Sequence, residues 1–140
     1  MNSFKELEVW KACRELRSLI WKTVKTFPPE EKYRLTDQMI RASRSATTQI
    51  AEGYGRFHFQ ENIQFCRISR GSLFELIDHL TVALDSEYIS DQEFNDLEQK
   101  TVKCTQILNG YINYLVKAKD KYSGNQTAEP EEFYGPIIEP

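Results

Sequence analysis

Six arginines carry the chemistry that this sequence offers most plainly. Arg34, Arg41 and Arg44 are followed by Arg56, Arg67 and Arg70. A guanidinium group matches a phosphate bidentately, and a cluster of such groups is the electrostatic footprint of nucleic-acid binding. On a helix, Arg41 and Arg44 stack on one face, and Arg67 and Arg70 sit on adjacent turns. Residues 32–70 hold seven basic residues against three acidic ones, a net charge of +4. Residues 90–140 hold five against nine, a net charge of −4, so the chain's overall −3 hides a basic middle and an acidic end. The competing reading pairs these arginines with Asp37, Glu52, Glu61 and Glu75, leaving a neutral, well-tied surface. In a ring of identical subunits a modest basic patch would repeat into a strong field.

Other chemistry is thin. The two histidines are His58 and His79, and Glu75 stands four residues before His79, a spacing that predicts an ion pair on a helix. A di-iron bundle needs Glu-x-x-His on two helices plus further glutamates, which the sequence does not supply. It contains no nucleophile elbow, zinc-protease motif or phosphate-binding loop, and Gly53-Tyr54-Gly55 is too short for a dinucleotide loop. A non-catalytic protein with no metal and no cofactor is the expectation. Cys13, Cys66 and Cys104 are odd in number, show no C-x-x-C spacing and fall on apolar stripes, so they read as small core residues. Trp10 and Trp21 are eleven apart and share a face of a helix. They read as subunit-interface anchors, with stacking on bases beside Arg14 and Arg17 as the alternative.

The elements that must position these groups are helices. Across 140 residues, with 6 glycines and 5 prolines, apolar residues recur at spacings of three and four. The first helix is predicted from about Lys5 to Thr26, on a stripe of Val9, Cys13, Leu16, Ile20 and Val24, and ends at Phe27-Pro28-Pro29. The second is predicted from Thr36, as a capping hydroxyl, to Gly53, as a left-handed closing residue. The third, from about Phe59 to Glu87, is apolar around most of its circumference. One stripe runs Cys66, Ser69, Leu73, Leu76, Leu80, Ala83; a second includes Arg70, Phe74 and Ile77; Phe65 and Ile68 point a third way. A lone four-helix bundle buries about one face of each helix, so Phe65, Ile68, Phe74 and Ile77, with the tryptophans, are the expected oligomer interface. The fourth helix opens on a Ser90–Glu93 capping box and holds a 3,4 repeat from Phe94 to Leu115. The expected fold is an all-α, up-down-up-down four-helix bundle over residues 1–121, followed by an acidic, flexible tail over residues 122–140. Phe133, Tyr134, Ile137 and Ile138 in that tail either dock on a neighbouring subunit or carry no role. No apolar run approaches the roughly 20 residues that span a bilayer, and Met1 to Glu6 lack the pattern of a secretory signal, so a cytoplasmic location is expected.

Three stretches together carry a resemblance. They are Phe4-Lys5-Glu6-Leu7-Glu8-Val9-Trp10, then Leu35-Thr36-Asp37-Gln38-Met39-Ile40-Arg41-Ala42 leading into Ser45-Ala46-Thr47-Thr48-Gln49-Ile50-Ala51-Glu52-Gly53-Tyr54-Gly55-Arg56, and Gly71-Ser72-Leu73-Phe74-Glu75-Leu76. From about Phe4 to Val116 the chain resembles the bacterial four-helix-bundle family named for proteins encoded in intervening sequences of large-subunit ribosomal RNA genes. The accessory variability determinant of diversity-generating retroelements belongs to the same group. The resemblance implies a homopentameric barrel of up-down bundles. Its retroelement relative is a basic protein that binds nucleic acid and a reverse transcriptase. This chain departs from the family in carrying Gln49 where asparagine is usual, and in being acidic overall. Glu52, Gly53, Gly71, Ser72 and Glu75 carry over as fold and packing positions. A close helix approach is the expected reason for Gly71, with Ser72 and Glu75 satisfying polar groups across it.

Two functions remain. One is an oligomer that binds RNA or DNA through the arginines, mainly at phosphates. The other is a homo-oligomeric scaffold for a protein partner, with no nucleic-acid role.

Overall fold

A computed structural model describes residues 3–123, which form four α-helices and no strand. The helices are α1 (Glu8–Val24), α2 (Leu35–Gly55), α3 (Phe59–Asp85) and α4 (Asp91–Ser123), with short 3-10 turns at Phe4–Glu6 and Pro29–Glu31. Helix α2 packs on α3, α3 on α4, and α1 on both α2 and α4. The acidic segment after Ser123, with Phe133, Tyr134, Ile137 and Ile138, lies outside the described residues.

The inner stripes behave as their spacing predicts. Leu16, Ile20, Met39, Ile50, Leu73, Leu76, Leu80, Leu108 and Ile112 are fully buried. Cys13, Cys66 and Cys104 are free and buried among them. The hydrogen bond to Cys104 and then burial raise the Cys13 thiol well above its ordinary pKa, and burial pushes Cys66 up to about 12. The capping box forms: Ser90 Oγ accepts the Glu93 N–H, and Glu93 Oε1 accepts the Ser90 N–H, each at 3.1 Å.

The boundaries differ from expectation in three places. The first helix begins at Glu8, because Phe4–Glu6 form a separate turn capped by Ser3 and extended Leu7 buries its side chain. The second begins at Leu35, with Arg34 rather than Thr36 at the N-cap and no capping side chain; burial of Leu35 fixes that start. It also runs through Gly53 to Gly55. The left-handed residue at the α2–α3 turn is Phe57, with φ 56°, and Glu87 takes the same role after α3, with φ 63°. At that second end the Tyr88 N–H reaches back to the Ala83 carbonyl at 2.9 Å, a Schellman-type closure.

Small residues let α2 and α3 approach closely. Ser69 Oγ donates to the Ala46 carbonyl at 2.7 Å, and Ser72 Oγ to Ser45 Oγ at 2.8 Å. A Cβ on Gly53 would lie 2.7 Å from Asn62 Oδ1 and 2.9 Å from Phe65 Cβ. Gly53 is therefore required by contact, not by a left-handed backbone. Gly71 reverses the other expectation: a Cβ there would meet nothing within 4 Å. Ser72 does bridge to α2 as expected, but Glu75 does not; its Oε1 lies 3.2 Å from His79 Nε2 on its own helix.

Candidate nucleic-acid interface

The six arginines do not form one patch. Arg44 faces the α1–α2 groove, Arg67 and Arg70 the α3–α4 groove, and these grooves share no helix. In the α1–α2 groove, Trp21 is 45% exposed, with the Arg44 guanidinium 5.6 Å and the Lys25 ammonium 4.9 Å from its ring centre. Arg17 reaches the same place from α1 and donates to Thr47 Oγ1 at 2.9 Å. Arg17, Ser18, Trp21, Ile40, Ser43 and Arg44 line an open cleft of about 230 Å³. Three cations around an exposed indole make a surface suited to phosphate on one side and to a flat ring on the other.

The α3–α4 groove holds the second cluster. Arg70 donates to Asn109 Oδ1 at 3.2 Å, and Arg67 lies one turn away on α3. Burial lowers the pKa of both guanidinium groups, and repulsion from Arg67 lowers that of Arg70 further. A guanidinium group keeps its proton in proteins, so both side chains carry their charge at neutral pH.

The remaining arginines stand apart. Arg34 is exposed at the start of α2. Arg41 pairs with Asp37 at 2.9 Å, and Arg56 with Glu52 at 3.1 Å, each one turn along the same helix. Such exposed pairs are worth little. Arg56 also lies 5.1 Å over the ring of Phe65. Two of the four anticipated acidic partners thus take arginines, while Glu75 takes His79.

The expected interface residues divide too. Trp10 shares a helical face with Trp21 but is buried, because the N-terminal turn lays Phe4 edge-on across it at 5.3 Å. Trp10 is therefore a core residue and not an interface anchor. Ile68 and Phe74 stay exposed on α3 at 51% and 60%, Val82 joins them, and Phe65 and Ile77 are half-buried. Gly71 sits between Ile68 and Phe74 on that outward face.

The sequence reading missed an aromatic cleft at one end of the bundle. Tyr54, Phe57, His58, Phe59, Tyr111 and Tyr114 line it together with Leu7, Asn62 and Leu115, around a volume of about 510 Å³. Tyr54 and Phe57 have ring centres 6.4 Å apart, and Tyr111 and Tyr114 stack at 6.3 Å. The Asn62 amide donates to the Tyr111 hydroxyl at 3.2 Å. Burial pushes the Tyr111 phenol up to about 12, against the opposing pull of Asn62. The available signal was the aromatic crowding of Phe57-His58-Phe59 and of Tyr111 with Tyr114.

Among the described residues, no group of three or more His, Cys, Asp or Glu side chains is placed to hold a metal, and no helix is long and apolar enough to cross a membrane. Residues 5–110 match the family described as 23S rRNA-intervening sequence protein. The chain belongs to that family. Comparison of the chain with curated proteins returns no match.

Proposed function

We propose that this protein is a non-catalytic, self-assembling bundle that binds RNA, chiefly through phosphate contacts. The observation that carries this reading is the gathering of Arg17, Lys25 and Arg44 around exposed Trp21. The Arg67–Arg70 pair in the α3–α4 groove supplies a second cationic surface, so an RNA strand would pass more than one face of each bundle.

The family resemblance implies a pentamer of up-down bundles. Contacts between helices support the direction of the chains: Ser45 meets Ser72, Ala46 meets Ser69, and Gly53 meets Asn62, so numbers rise along α2 as they fall along α3. Exposed Ile68, Phe74 and Val82 support assembly, since an apolar patch on a helix face is ordinarily covered. In a ring, the two arginine grooves would repeat with the symmetry and strengthen the field.

Titration with RNA at several salt concentrations tests the reading. Retention at low salt, with affinity falling steeply and log-linearly as salt rises, is the expected result. Absence of retention at low salt ends it. Light scattering tests the assembly: about five times 16.4 kDa supports the pentamer, and a strict monomer removes it.

A second reading, a homo-oligomeric scaffold for a protein partner, is favoured by the outward α3 face and by the engagement of Arg41 and Arg56 with acids of their own helix. Oligomer formation with no RNA retention would select it.

A further inference from the structure

We infer that the aromatic cleft at the end of the bundle is a stacking site for an unpaired nucleobase; the inference rests on the RNA-binding reading and names a subsite for it. Two sets of rings line the cleft, Tyr54 with Phe57 and Tyr111 with Tyr114. Its volume of about 510 Å³ is large enough for a base and its sugar and lies within the roughly 300–1,000 Å³ of small-ligand pockets. Bases of every type offer a π face, so such rings bind unpaired strands with little sequence preference.

Two further features favour a base over an aliphatic occupant. First, the floor is polar. The Asn62 amide donates to the Tyr111 hydroxyl there at 3.2 Å. A base edge can hydrogen-bond with such groups, whereas a hydrocarbon cannot. Second, Phe57 is held in the left-handed region at φ 56° and is 87% exposed. A bulky residue is strained there, and strain of this kind concentrates where a ligand is clamped. The cleft is formed by Leu7 and the ends of α2, α3 and α4, away from the Trp21 groove, so a strand engaging both would need to be single-stranded and several nucleotides long.

The test uses an unstructured oligoribonucleotide carrying one 2-aminopurine, whose emission falls when the base stacks. The intact chain is expected to quench it on binding at low salt. Tyr114→Ala and Phe57→Gly remove exposed rings, and the glycine also suits the left-handed backbone; circular dichroism confirms that each variant folds. Each is expected to lose the quench and to bind the unpaired strand roughly tenfold more weakly, with unchanged salt dependence and unchanged affinity for a blunt duplex. Binding by anisotropy without quenching means phosphate contact alone, which overturns the stacking site and leaves the RNA reading standing. Quenching that survives both variants but disappears in Trp21→Ala moves the base to the α1–α2 groove and also overturns it. Absence of any RNA binding removes both readings.

Discussion

Gly53 of α2 lies so close to Asn62 of α3 that a methyl group on the glycine would fall 2.7 Å from the asparagine Oδ1 and 3.2 Å from its backbone oxygen. Asn62 has little room to move, since its amide also bonds Tyr111 on α4 and its Oδ1 accepts from Cys66. One close contact thus ties three helices together and sets the floor of the aromatic cleft. Gly53→Ala must push α2 and α3 apart. The expected cost is about 1–3 kcal/mol of folding stability, read by urea unfolding. An unchanged midpoint would mean that Phe65 and Asn62 can retreat.

Gly71 gives the opposite expectation. Its missing side chain faces open space in the middle of α3, where alanine is favoured over glycine by about 1 kcal/mol. Gly71→Ala should therefore raise the melting temperature of the dilute chain. If neighbouring subunits close over Ile68 and Phe74, the same methyl intrudes between them. Sedimentation should then show a shift toward smaller species. A rise in stability with unchanged assembly would place the subunit contact elsewhere.

Glu87 ends α3 in a left-handed conformation, with φ 63°, and is exposed. A residue with a Cβ is disfavoured there by roughly 1–2 kcal/mol, and glycine returns part of that gain through the entropy of the unfolded chain. Glu87→Gly is expected to stabilise the protein by about 0.5–1 kcal/mol. Glu87→Val, with a branched side chain, should destabilise it, and thermal melts of the two should move in opposite directions.

These glycines also show what the sequence could and could not convey. The inner stripe of α3 and the Ser90–Glu93 box depend on residues of one helix, and both were legible. Gly53 and Gly71 look alike in a string of letters; what separates them is the identity of the helix opposite. The same limit governs Trp10 and Trp21. Helical spacing puts them on one face, and only the turn that carries Phe4 over Trp10 makes one core and the other surface. The arginines follow suit. Clustering in sequence predicted one basic surface, but Arg44 leans toward α1 and Arg70 toward α4, because α2 and α3 bury their shared side and turn their flanks to different neighbours. The cleft was invisible because its rings come from segments more than fifty residues apart, and nothing local marks Tyr54 and Tyr114 as neighbours.

The buried thiols set a pH dependence. Cys66 titrates at about 12 in the folded chain against an ordinary value of 9.0, and Cys13 is raised as well. Between those values the unfolded chain has released these protons and the folded chain still holds them. The unfolded state binds fewer protons, so stability falls as pH rises above about 9, and is unaffected by these groups below it. Tyr111, raised to about 12 from 10.0, adds to the fall at higher pH. Urea midpoints at pH 8 and pH 10.5 measure the slope. Cys66→Ala should flatten it, at the cost of a small cavity. A slope unchanged by that substitution would assign the alkaline loss to other groups.

Arg44 and Arg70 allow the two grooves to be weighed against each other. Each is replaced by glutamine, which keeps a polar side chain and removes the charge. The Arg44 guanidinium lies over the Trp21 ring and that of Arg70 donates to Asn109. A groove that tracks the phosphate backbone should lose about 0.7 in the slope of log affinity against log salt for each single-strand contact removed. Because the grooves share no helix, the losses should add if both carry RNA. Arg44→Gln is expected to show the larger loss, since Arg17 and Lys25 gather with it around an exposed ring, whereas Arg70 is half-buried and already engaged by Asn109. Arg41→Gln, which removes a charge tied to Asp37, serves as the reference and should change the slope least. Equal small losses at all three positions would mean that RNA senses only the average charge of the bundle, and the Trp21 groove would lose its standing as the binding surface.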